Sequence, residues 1–162
     1  MSNEALASLS LAEIEEVSGE LHRRIGVALR TIGEQGADDR GAHETSPRYL
    51  VASLAASFEL AASTLGTIAA AVPPVGGRTD RHPTTIAAVM YAAPSLSALL
   101  SRLEQDRRLL ASFARTLESR LDESHPGGWG EIAMRELVGE VAVIASAACA
   151  QDLEARAATA SV

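Results

Sequence analysis

The chain has 162 residues, a formal charge of −7 and 47% apolar residues, with one cysteine and fourteen basic residues that are all arginine. One cysteine excludes an internal disulfide, and the missing lysine excludes Schiff-base and P-loop chemistry. The acidic balance disfavours a general nucleic-acid binder, because phosphate repels such a surface.

Read in order, the amino-terminal stretch MSNEALASLSLAEIEE is acidic and lacks a continuous apolar run, so no export signal is expected and a cytoplasmic location is the expectation. Helix one is predicted to start at Ser10, where Ser10 and Glu13 have the spacing of a capping box. Ile14, Val17, Leu21, Ile25, Leu29 and Ile32 form its apolar seam, with His22 beside it. This rhythm is similar to the first helix of all-helical chorismate mutases. That family's site relies on a lysine as well as arginines, so the likeness implies no function here. Residues 33–46 combine glycines, adjacent acids and no large apolar side chain, which predicts a loop.

Ser46 and Pro47 predict a second cap, leading into a central helix over Tyr49–Val72 whose single charged residue is Glu59. A stripe of small residues, Ala55, Ala62, Gly66 and Ala69, runs beside its larger apolar face. A helix apolar around most of its circumference belongs at the centre of a bundle or at a subunit interface. The mid-span glutamate, several Ser and Thr residues and the absence of flanking basic clusters argue against a membrane span.

Residues 73–83, PPVGGRTDRHP, form the clearest break. A third helical pattern follows from Thr84, interrupted by Pro94, which predicts either a kink near Ala93 or a short helix followed by a long one. A last helix is predicted from about Trp129 to the mid-150s, Trp129 plugging the bundle's end and the tail AATASV fraying. No segment has the alternation of a strand. The expected fold is therefore all-α: one domain over 1–162, an up-down-up-down four-helix bundle with a kinked or split third helix.

Candidate chemistry is sparse. The four histidines lack the Glu-x-x-His partners of a di-iron site and one cysteine cannot build a zinc site, so neither metal nor cofactor is expected. Glu59, among alanines and serines, is a candidate for a carboxyl that keeps its proton in an apolar pocket, with Tyr91 at a crevice opened by Pro94. Arg78, Arg81 and His82 precede a helix start and are candidate anion ligands; the plainer reading makes them a polar linker in which Asp80 neutralises an arginine. Cys149 reads as an inert buried thiol. A basic face over Arg107, Arg108, Arg115 and Arg120 leaves DNA association as a weaker alternative. The leading expectation is a non-enzymatic protein of a bacterial cytoplasm, regulatory or accessory, acting through protein contacts as a homodimer. An enzymatic or small-molecule pocket near Glu59, Tyr91 and Pro94 is the alternative.

Overall fold

The computed structural model describes residues 8–160 apart from 42 and 75, and most of that chain is helical, with one small two-stranded sheet. The acidic start before Ser8 and the last two residues of the tail lie outside the described residues.

Helix α1 (Leu11–Gly36) begins at the capping box its sequence encodes: Glu13 N–H donates to Ser10 Oγ at 3.2 Å and Ser10 N–H to the Glu13 carboxylate at 2.7 Å. Ile14, Leu21, Ile25 and Leu29 are buried along the expected seam. The last turn departs from helical geometry at Gly33, with φ 68° and ψ 171°. A side chain there meets no neighbour but disfavours this backbone, so Gly33→Ala is expected to cost about 1–2 kcal/mol, seen as a lower urea midpoint with an unchanged m-value.

Helix α2 (Pro47–Ala69) starts at Ser46, whose hydroxyl accepts from Tyr49 N–H at 3.3 Å. Its larger face, Leu54, Phe58, Leu65 and Ile68, is buried. The small stripe is covered over most of its length: Ala55 and Ala62 have no exposure, the ring of Phe113 lies 3.1 Å from where a Cβ on the half-buried Gly66 would stand, and only Ala69 at the helix end is exposed. Close approach of another helix of the same chain is what that stripe serves. The helix is long and apolar enough to cross a membrane by length and composition, yet most of its apolar window is covered by the rest of the chain. It ends short of the expected Val72, because Ala71 turns into the left-handed region at φ 56° and Val72 is half-exposed.

A 3₁₀ turn (Thr79–Arg81) precedes α3 (Pro83–Ala92), and α4 (Leu96–Thr116) follows across a bend of 110°. The pattern interrupted by Pro94 is thus two helices, since proline lacks the N–H the helix needs and Ser95 starts a new one by accepting from Ala98 N–H at 3.0 Å. The corner is held from two sides. Glu34, just past the Gly33 break, accepts from Leu96 N–H at 2.6 Å, and Arg48 donates to the Pro94 carbonyl while pairing with Glu34 and Asp38.

After a second 3₁₀ turn (Glu118–Arg120), two expectations are corrected. Strands are present, β1 (Ser124–Gly127) paired antiparallel with β2 (Gly130–Ala133), with His125 opposite Ile132 and Gly127 opposite Gly130. Trp129 consequently sits in the hairpin turn, and the last helix starts five residues later at Met134. The hairpin forms where the chain must press against the 73–83 linker. A Cβ on Gly128 would stand 2.6 Å from the Gly77 carbonyl oxygen, a distance only glycine permits. The final rod comprises α5 (Met134–Gly139), a π-helical segment (Glu140–Ala145) and α6 (Ser146–Ala160). It stays helical through residues expected to fray, with Thr159 donating to the Arg156 carbonyl at 2.8 Å and Arg156 reaching the Thr45 carbonyl at 2.7 Å.

Candidate functional site: a carboxyl pair, a pinned linker and an uncharged outward helix

The sequence brings Glu59 to the outer edge of α2, where its carboxylate meets α4 and is about one-third exposed. Arg102 donates to it from Nε at 2.6 Å. One turn further along α4, Asp106 lies 3.9 Å from the same arginine and is only 14% exposed. One guanidinium therefore faces two carboxyl groups, and at 3.9 Å the buried Oδ2 of Asp106 is left without a hydrogen bond. Burial raises the Asp106 pKa to about 6, helped by the negative charge of Glu59 and opposed by Arg102. The proton-holding carboxyl that the sequence suggested at Glu59 is thus found on its neighbour, which is the deeper of the two. Its sequence signal was the Arg102–Asp106 spacing of four residues.

Tyr91 does not join this pair. It is 90% exposed at the end of α3. The 110° bend turns α3 so that Ile86, Val89 and Ala93 face the core, while Thr84, Ala87, Ala88 and Tyr91 lie on its exposed side. Those four have the i, i+3, i+4, i+7 spacing of one helical face. No charged residue lies between His82 and Arg102.

The linker candidates also separate. Asp80 is fully buried and accepts from Arg78 Nε at 2.8 Å, from Arg78 Nη2 at 2.7 Å and from Ser57 Oγ at 2.8 Å. Burial pushes its pKa up, but Arg78 and Ser57 bring it net below the usual carboxylate value. The Arg78 guanidinium lies over Trp129, 4.4 Å from the ring centre. His82 turns its Nδ1 back to accept from Thr84 N–H at 3.3 Å, capping α3, and Arg81 is exposed. Arg78 and Arg81 both lower the Asp80 pKa through their charge, while His82 is used as the cap of α3. Arg78, held by Asp80 and lying over Trp129, forms a strut that ties the linker to the hairpin.

Every arginine of the expected basic face has an acidic partner: Arg107 and Arg108 with Glu104, Arg115 with Glu15, and Arg120 with Glu123. Arg107 and Arg108 hold the Glu104 carboxyl down to about 2. Cys149 is buried, its thiol pushed up to about 12 by burial and by Asp152, too high for a thiolate at neutral pH. No group of three or more metal-ligating side chains occurs among the described residues. Comparison of this chain with known protein families, curated proteins and solved structures gives no match.

Proposed function

We propose that this protein acts through protein contacts, in a regulatory or accessory role, and pairs with a second copy of itself through the outward face of α3. The observation that carries this reading is a ten-residue helix without a charged side chain whose exposed face is Thr84, Ala87, Ala88 and Tyr91. Small residues beside one large aromatic let two helices approach closely and give each copy a knob and a shallow seat, the self-complementary arrangement a two-fold dimer requires. The corner at Pro94, pinned by Glu34 and Arg48, holds that face in place before any partner arrives, which lowers the ordering cost of association. In this reading the four long helices form an up-down-up-down bundle in a bacterial cytoplasm, on which α3 is mounted.

Two other roles have less support. A site at Glu59 and Tyr91 needs both in one crevice, while Glu59 is taken by Arg102 and Tyr91 points to solvent. DNA association needs arginines without acidic partners.

The test is molar mass by light scattering across micromolar concentrations. Wild type is expected to shift from monomer to dimer mass, and Tyr91→Arg to remain monomeric with an unchanged unfolding midpoint. A strictly monomeric wild type, or a Tyr91→Arg variant that dimerises equally well, rules the proposal out.

A further inference from the structure

A cleft of about 410 Å³ opens where the end of α1, the start of α2 and the last turn of α6 meet the loop that joins α1 to α2. Its size falls within the ~300–1,000 Å³ typical of small-molecule sites. Ile32 of α1, the buried Pro47 of α2 and Ala160 of α6 supply apolar sides. Charge enters from two directions: Arg156 from the α6 side, and Asp39, Arg40 and His43 from the loop.

Arg156 is a charged residue only 7% exposed, with Nε donating to Asp152 and Nη1 to the Thr45 carbonyl at 2.7 Å. Its third nitrogen, Nη2, has no acceptor among the described residues and is not sealed in the interior, so it is the donor that this fixed guanidinium keeps for the cleft. The loop is shaped as well. Asp39 Oδ1 accepts from Gly41 N–H at 2.9 Å, Gly41 has a φ of 52°, and His43 N–H donates to the Arg40 carbonyl at 2.9 Å. That last bond closes a turn with Arg40 and His43 at its two ends. Arg40 is exposed and has no acidic partner among the described residues, and Asp39 keeps its second oxygen unbonded. The two arginines are matched one for one by Asp39 and by the Asp152 carboxylate on Arg156. The end of α6 adds the negative pole of a helix dipole at the edge of the cleft. A bare anion or a bare cation therefore satisfies half of this set and is opposed by the other half.

We propose that this cleft binds a free α-amino acid with an apolar side chain. Its carboxylate accepts from Arg40 and from Nη2 of Arg156, its ammonium donates to Asp39, and its side chain lies against Ile32, Pro47 and Ala160.

Thermal unfolding of the full chain at pH 7.5 tests this with millimolar L-leucine and L-phenylalanine, and with isocaproate and isopentylamine, which keep the leucine side chain but lack the ammonium or the carboxylate. At least one of the amino acids is expected to raise the midpoint with dose, and each leucine analogue to bind about tenfold more weakly than leucine, the loss one charge-assisted hydrogen bond accounts for. Arg40→Ala removes an exposed side chain without a partner, so the midpoint of the unliganded protein is expected to stay in place while amino-acid affinity falls about tenfold. Asp39→Asn keeps the acceptor for Gly41 N–H and is expected to bring leucine down to the level of isocaproate. In the wild type, binding is expected to shift the imidazole resonances of His43 and leave those of His125 in place. No rise of the midpoint with either amino acid, analogues that bind as tightly as leucine, an unmoved His43 signal, or an Arg40→Ala variant that titrates like the wild type overturns the proposal.

Discussion

Asp80→Ala is expected to lower the unfolding free energy by about 3 kcal/mol, the lower end of what removing one partner of a buried ion pair costs. The carboxylate has no exposure and accepts three hydrogen bonds, two from Arg78 and one from Ser57. Ser57 loses little, because its hydroxyl also reaches the Ser53 carbonyl at 3.2 Å. Arg78 loses more. It is only one-quarter exposed, and without Asp80 nothing fixes its guanidinium over Trp129. Since Trp129 is the single tryptophan, its fluorescence reports this site directly, and its emission is expected to change in Asp80→Ala at urea concentrations well below the unfolding midpoint. Arg78→Ala is expected to be about as destabilising, for the opposite reason that it leaves a carboxylate buried and unpaired. The double variant is then expected to lose less than the sum of the two, by on the order of 1–2 kcal/mol of coupling. Additive losses in urea titrations, or an unperturbed Trp129 signal, contradict the strut.

Asp106→Asn is expected to act in the other direction and stabilise the protein by about 2 kcal/mol at pH 8. In the folded chain Asp106 holds its proton up to about pH 6, whereas an ordinary aspartate loses it near 3.8. Its pKa is raised by folding, so the stability associated with this group is complete below pH 3.8 and is lost as the pH rises through 6. Two pKa units correspond to about 3 kcal/mol, and the cost of burying the asparagine amide in its place brings the expectation nearer 2. Asparagine keeps a donor for Glu59 and removes the charge. Its advantage over wild type is therefore expected to vanish at pH 4 and to grow between pH 4 and 7. Unfolding midpoints of the two proteins measured across that range check this; a gain that is constant with pH refutes the assignment. A carboxyl that weakens the fold at neutral pH also marks the Glu59–Arg102–Asp106 group as a place where variants trade stability against some other requirement.

Much of the helical framework is written locally. The capping box at Ser10, the Ser46–Pro47 start, the apolar seams of α1 and α2 and the interruption at Pro94 depend only on residues within a turn or two of one another, and all stand where the periodicity put them. The hairpin was not legible in the same way. Residues 124–133 carry three glycines and a proline and show no strand alternation, and they pair because the 76–78 linker and the Arg78–Asp80 strut press against the turn. The same limit applies to the sites. Glu59 stood out as the lone charge of its helix, but nothing near it in sequence names Arg102 and Asp106, more than forty residues away. Ser18, buried with its hydroxyl unpartnered, gave no signal at all, since a serine beside an apolar seam usually reaches water.

What the chain settled by itself is where its helices begin, which stripe of each is apolar and which reaction classes are closed to it. These follow from covalent neighbours, from 3.6-residue periodicity and from the absence of lysine and of a second cysteine. Which carboxyl keeps the proton, which helix face is left outside by the 110° corner, and which buried hydroxyl goes without a partner were decided by the tertiary structure. Each of those depends on burial and on charges brought together from distant segments, and desolvation and Coulomb energy act through space rather than along the chain.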